Sequence, residues 1–513
     1  MNTITFCIVA AIVVYLLVML AIGFVFSFKN ESSSDFYLGG RKMGPIVTAM
    51  SAEASDMSSW LLMGLPGVAY LSGLADAAWT AIGLGVGTYL NWLFVSKRLR
   101  RYSSHLNAIT VPEFFSKRFN DKKYILSAVA GIVIVIFFIP YTASGFAACG
   151  KLFNTLFDVD YTTAMIIAAV IISAYTILGG FKAVCTTDLI QSIVMTIALV
   201  VIVVFGISQA GGVDAVIDNA KELPGYLAMS ATHNAETGAS APYGFITIIS
   251  TAAWGLGYFG MPHILLRFMA IKDEKKLVLS RRIATVWVFI AMFVAIFIGI
   301  IGSAMTKAGN LENLEDSETI IVKIADIISQ NGILAALLAG VILAGILAAT
   351  MSTADSQMLA AASGISQNVL VEFFGIKLSK KMNVLIARLT ILAISTIAVF
   401  LALNPESSVF KIVSFAWAGF GGAFGAVVIL ALFWKRMNLA GAIAGMVSGG
   451  AMVFIWKFVV RPLGGSWDIY ELLPAFIVSF IISVVVSLLT KAPDKEIVDT
   501  FEAVKTGKLE VTE

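Results

Sequence analysis

The chain has 513 residues, 59% hydrophobic and 13% charged, with a formal net charge of +3. Soluble domains carry about 25% charged residues, and here apolar runs of about 20 residues, long enough to cross a bilayer as helix, recur along almost the whole length. That excludes an ordinary soluble domain and leaves an all-α polytopic protein whose first partner is the lipid bilayer.

Thirteen spans are expected, at roughly 5–27, 45–73, 77–95, 124–149, 161–180, 188–208, 243–266, 283–304, 333–364, 382–403, 410–434, 439–459 and 471–490. The first lacks a basic flank before it and a small-residue cleavage site after it, which reads as a retained helix. Cys7, Cys149 and Cys185 fall in or beside apolar runs and read as buried small hydrophobes. His105, His233 and His263 show no metal-ligand spacing. No Walker loop, nucleotide fingerprint or H-E-x-x-H occurs, so an enzyme, an organic cofactor and a nucleic-acid partner are not expected.

Alternate connections divide the Lys and Arg residues 28 to 7. Positive charge favours the cytoplasmic side of a cell membrane, which places the N-terminus outside and the C-terminus inside. The blocks are then a first span with its inner loop (1–44), spans two to six (45–208), an outer loop (209–242), spans seven to eleven (243–434), spans twelve and thirteen (435–490) and a cytoplasmic tail (491–513). The outer loop, rich in small and polar residues, reads as a short helix plus a mobile, solvated loop.

Span two contains MSAEASDMSSWLLMG, with Glu53 and Asp56 among four serines where lipid would favour leucine. A carboxylate at bilayer depth costs roughly 2.5–3.5 kcal/mol on insertion scales. Serines compete for backbone hydrogen bonds, and Gly64, Pro66 and Gly67 weaken the helix further, so an unwound segment is expected. Non-helical backbone at that depth persists only inside protein or along a wet cavity. Span seven shows a second interruption, AWGLGYFGMPHILLRF. The two are five spans apart, an odd number, so they run in opposite directions, and interrupted helices at matching places of inverted halves point to a midplane transport site. Span nine adds GVILAGILAATMSTADSQMLAAASG, where Ala349, Ser352 and Thr353 lie on one helical face. Two hydroxyls and a nearby carbonyl suit a hard monovalent cation.

These residues carry a resemblance. SDMSSWLLMGLPG, WGLGYFGMPHILLRFMA, AATMST and SFAWAGFGGAFG resemble the sodium:solute symporter family, and within it the sodium/proline symporters, over nearly the whole chain. The resemblance implies a leucine-transporter-like core of five plus five helices in an inverted repeat, spans two to eleven, with Na+ as coupling ion. It implies sodium held by backbone oxygens of Ala54, Met57 and Ala349 with the hydroxyls of Ser352 and Thr353, and supported by Asp56. It implies a proline pocket involving Ser58, Trp60, Tyr141, Trp254, Tyr258 and Pro262. An aromatic-walled site suits proline, with a small apolar ring and an ammonium available for cation–π contact. Three positions depart from the pattern: Glu53, Ser59 and Met261 stand where an uncharged residue, glycine and glutamine are expected.

Two acids outside the motifs are read in two ways. Asp188 and Asp355 are ion-paired or helix-end acids near the inner surface, or Asp188 with Ser352 and Ser356 forms a second cation position or exit path. Glu53 is expected to reach inner-side water or basic groups through its longer arm. The function expected is secondary active transport, sodium entry coupled to uptake of L-proline by alternating access. Another small solute (a betaine, pantothenate, a sugar or sialic acid) or a membrane sensor on the same scaffold stays open, although the short tail offers no output domain. Nothing in the sequence sets an oligomeric state.

Overall fold

The computed structural model describes residues 3–28, 32–404, 406 and 408–507. The end of the expected tail, residues 508–513, lies outside these. Among the described residues, nine helices are long and apolar enough to cross a membrane unaided. One of the nine, Tyr161–Gln209, is 49 residues long, roughly 74 Å at 1.5 Å per residue, against a hydrocarbon core of about 30 Å. It turns at Gly180, φ +64° and ψ −172°, a conformation open to a residue without Cβ, and so supplies spans five and six. Three further spans are less regular or less apolar: span two joins Pro45–Ser59 to Leu65–Ser72 with a kink at Ser58, span three runs from Leu74–Leu90 into Ser96–His105 through a wider helical turn, and span seven joins Phe245–Ala252 to Pro262–Ala270 across a break. With these three spans and the split helix, the described residues are consistent with the thirteen spans expected.

Span nine, Ile333–Ser363, is the axis of the bundle. Every residue from 342 to 363 is buried, and spans one, two, four, five and six pack around it. Lipid-facing chains lie at the periphery, such as Leu389 and Phe400 of span ten and Ile481 and Leu488 of span thirteen. Spans twelve and thirteen meet through small residues, with Ser479 Oγ donating to the Gly445 carbonyl at 2.9 Å. The three cysteines are free and buried.

Spans two and seven run antiparallel. Met43, just before span two, exchanges backbone hydrogen bonds with the end of span seven: Met43 N to Ala270 O at 3.2 Å, and Lys272 N to Met43 O at 3.0 Å. Arg41 clamps this junction, donating to the carbonyls of Met269 at 2.7 Å and Ser103 at 2.9 Å. Burial pulls its pKa down to about 10, so it stays charged at neutral pH.

The long connection departs from the expected mobile loop. It contains the short helix Val213–Glu222 and a hairpin of Ala231–His233 with Ser240–Pro242. Tyr226 is buried, its hydroxyl donating to Tyr70 O at 3.0 Å and its carbonyl accepting from Leu74 N at 2.8 Å. Trp79 Nε1 holds the Met229 carbonyl at 2.8 Å. The aromatic side chains, not the small polar ones that dominate the composition, decide the outcome: the segment is a lid over the junction of spans two and three.

Candidate functional site

The break in span two is a single residue. Ser58 has φ +47° and ψ −172°, a region that costs about 1–3 kcal/mol for a residue with a side chain. Its hydroxyl offsets part of that by accepting from Trp60 N at 3.0 Å, as an N-cap does. Across from the break, Ser352 Oγ donates to Ala54 O at 2.8 Å and Ala349 O at 3.2 Å, and Thr353 Oγ1 donates to Ala349 O at 3.2 Å. Four of the five expected sodium donors thus meet in one buried, all-oxygen cluster. The fifth, Met57, lies at the break with its carbonyl receiving the Trp60 N–H. Oxygen donors without thiolate or imidazole suit a hard cation.

The break in span seven is longer. Ala253–Gly260 winds as a tight 3-10 helix, Met261 is extended, and Pro262 opens the next half-helix, where its missing N–H costs nothing. Trp254 thereby faces Trp60 across the bundle at 5.6 Å between ring centroids. Tyr141 donates to Asp56 O at 3.4 Å, and the Tyr258 hydroxyl donates to Asp56 Oδ2. Asp56, Met57, Trp60, Tyr141 and Trp254 line one internal cavity of about 10 Å³, which holds about one water. Ser58 lies beside it in the polar wall with Thr353, and Pro262 stands off it as the start of a helix. A solute larger than water enters only if these rings part.

Residues of spans three and eleven, missed in the sequence, complete the cavity: Leu84, Val413 and Trp417. Trp417 Nε1 donates to Trp254 O at 2.7 Å, and its ring meets Tyr258 edge-on at 5.1 Å. Phe410 closes the opposite side, 6.0 Å from Trp60 and 5.4 Å from Trp254. Glu318 fixes Phe410 by accepting from its N–H at 3.0 Å while pairing with Lys151 at 2.9 Å. The motif SFAWAGFGGAFG contained the signal for Trp417; nothing in the local pattern marked Phe410.

Asp188 is fully buried and ion-paired. Arg267 Nη2 reaches its Oδ2 at 3.1 Å and Ser356 Oγ at 2.6 Å, while Ser51 Oγ donates to the same carboxylate oxygen at 2.6 Å. A guanidinium therefore bridges the residues read as a second cation position, and in this conformation the ion-paired reading describes Asp188. Asp355 instead accepts from the Tyr175 hydroxyl. The expectation for Glu53 is corrected: it is 1% exposed, and it accepts from Trp92 Nε1 at 2.8 Å and Thr88 Oγ1 at 3.1 Å, reaching neither water nor a basic group. The helix points it into span three, a direction that sequence spacing alone leaves undetermined.

An antiparallel pair of broken helices, with an all-oxygen cluster and an aromatic cavity on either side of one break, defines a secondary transporter of leucine-transporter-like fold. The sodium:solute symporter family model matches residues 36–449, and the chain belongs to that family; it is a transporter and not an enzyme. It is 41% identical over 489 residues to the osmoregulated proline transporter OpuE of Bacillus subtilis (strain 168), covering 95% of this chain and 96% of that one. It is 40% identical over 489 residues to a sodium/proline symporter of Staphylococcus aureus, covering 94% and 92%. The solved structure of a Na+-coupled sialic acid symporter, in a substrate-bound outward-open state, superposes with TM-score 0.78 at 18% identity, over 95% of this chain and 99% of that one. The last comparison bears on the fold alone.

Proposed function

We propose that the chain couples inward sodium movement to uptake of L-proline by alternating access. The observation that carries this is the shared break at Ser58: the Ala54–Ala349–Ser352–Thr353 oxygens lie on one side and the Trp60–Trp254 cavity on the other. The names of the two relatives support proline as the solute. Sodium is held by the carbonyls of Ala54, Met57 and Ala349 with the hydroxyls of Ser352 and Thr353, and Asp56 supports it through the break. Proline lies among Trp60, Tyr141, Trp254 and Tyr258, with Ser58 and Pro262 shaping the two breaks. The protein sits in the cell membrane with the basic loops inside, as the 28 to 7 division of Lys and Arg favours. The inverted repeats are 45–208 and 243–434.

Both ligands order the same segment, so sodium raises proline affinity and, by linkage, proline raises sodium affinity by the same factor. Entry of one positive charge is favoured by about 2.3 kcal/mol per 100 mV. Proteoliposomes carrying the purified protein should accumulate labelled proline only with an inward sodium gradient, faster at inside-negative potential. Equal proline binding in sodium-free and sodium-rich buffer would refute the reading. Competition by betaine, pantothenate, sugars and sialic acid tests the solute.

A further inference from the structure

Beyond the span-nine cluster, three buried oxygens of spans two and three lack donors. Glu53 gives Oε1 to Trp92 and Thr88, and its Oε2 has no partner. Asp56, three residues on, gives Oδ2 to the Tyr258 hydroxyl and leaves Oδ1 bare. Asn91 of span three, three residues after Thr88, donates from Nδ2 to the Tyr258 carbonyl at 3.0 Å and leaves Oδ1 bare. These bonds close a circuit through spans two, three and seven. Glu53, Asp56 and Asn91 are 1%, 6% and 0% exposed.

All three bare atoms are acceptors. Among the described residues, no Lys, Arg or His forms an ion pair with Glu53 or Asp56, in contrast to Asp188 with Arg267. Uncompensated buried carboxylates are strongly disfavoured, and unpaired acceptors add to the cost. A cation removes both penalties at once. Carboxylate and amide oxygens select a hard ion.

We propose that Glu53, Asp56 and Asn91 form an additional sodium site between spans two, three and seven, separate from the Ala54–Ser352 cluster. The identity of the ion rests on the sodium-coupled reading above. The site's existence rests on the bare oxygens. Asp56 is the member that touches the pocket, through Tyr258, so an ion here acts on the solute side of the break.

The test is equilibrium binding of radioactive sodium to the purified full chain in proline-free choline buffer. Glu53→Gln keeps the acceptor for Trp92, and its amide nitrogen supplies a donor to the bare oxygens. It should bind one sodium fewer per chain than the wild type and, in sodium-free buffer, melt at a higher temperature. Asn91→Ala should weaken the same binding event at least tenfold, and it decides the matter alone if Glu53→Gln does not fold. Ser352→Ala with Thr353→Ala should lose the other ion and keep this one. Unchanged sodium number and affinity in Glu53→Gln or Asn91→Ala would overturn the proposal. Sodium-independent proline uptake by the wild type would instead strike the symport reading, and the binding count would stand apart from it.

Discussion

Spans two and seven are both interrupted within the bundle, and by opposite means. In span two one serine takes a costly backbone angle, caps the helix that follows, and leaves short polar side chains around the break. In span seven eight residues wind tightly and one is extended before proline restarts the helix, with bulky rings around the break. The first interruption presents carbonyls to the hydroxyls of span nine; the second presents aromatic faces to Trp60 and Trp417. On the proposed sodium and proline positions, a division of labour is expected, in which span two sets the sodium dependence and span seven sets the affinity for the solute. Asp56, bonded to Tyr258, is the bridge between them.

The largest effect expected is structural, on the span-seven side. A Cβ on Gly260 would run into the carbonyl of Phe420 and come within 2.9 Å of Gly425 N, both backbone atoms. Gly260→Ala should therefore lose about 3 kcal/mol, the upper part of the overpacking range, seen as a lower melting temperature in detergent and reduced membrane abundance. Normal stability would mean that close packing against span eleven does not hold this break.

On the span-two side, Asp56→Asn keeps a hydrogen-bond acceptor and removes the charge. Ser58 caps the following half-helix and Asp56 instead accepts from Tyr258, so on the proposed sodium-supporting role the concentration for half-maximal uptake should rise tenfold or more, about 1.4 kcal/mol. Proline affinity at saturating sodium should move much less. Ser352→Ala should shift sodium activation in the same direction by about fivefold, near 1 kcal/mol for one lost oxygen ligand. A larger shift in proline affinity than in sodium activation, in either variant, would break the division.

How far these contrasts were legible in the sequence depends on the range of the interaction that creates them. The serine cluster around Asp56 and the Gly/Pro run of span seven announce broken helices through local backbone chemistry. The i, i+3, i+4 spacing of Ala349, Ser352 and Thr353 fixes their common face. Arg267 bridging Asp188 and Ser356, and Trp92 holding Glu53, join residues 79, 89 and 39 positions apart, and no local pattern encodes them. Phe410 owes its place to Glu318, 92 positions away, which ties the start of span eleven to the loop before span nine. The boundary between spans five and six was legible near residue 180; that the chain turns on the single residue Gly180 and residues 181–187 are already helical depends on the tertiary packing of spans five and six.

The last effect expected, of the same size as that of Ser352→Ala, sharpens the comparison most, because it touches a ring and no proposed ligand oxygen. Trp417→Phe keeps an aromatic face for Tyr258 and Trp254 but removes the Nε1–H that holds the Trp254 carbonyl at 2.7 Å. One buried neutral hydrogen bond contributes about 1 kcal/mol, which corresponds to about a fivefold change in an equilibrium constant. Trp254 forms the wall of the cavity opposite Trp60, so the loosened carbonyl should appear as a roughly fivefold higher KM for proline. Sodium activation at saturating proline should stay within twofold of wild type, since Ala54, Ala349, Ser352 and Thr353 are untouched. Uptake by Trp417→Phe across a grid of sodium and proline concentrations separates the two quantities. An equal shift in both would mean that the Tyr258–Asp56 bond transmits span-seven disturbances into the sodium site, and the two breaks would then have to be treated as one unit.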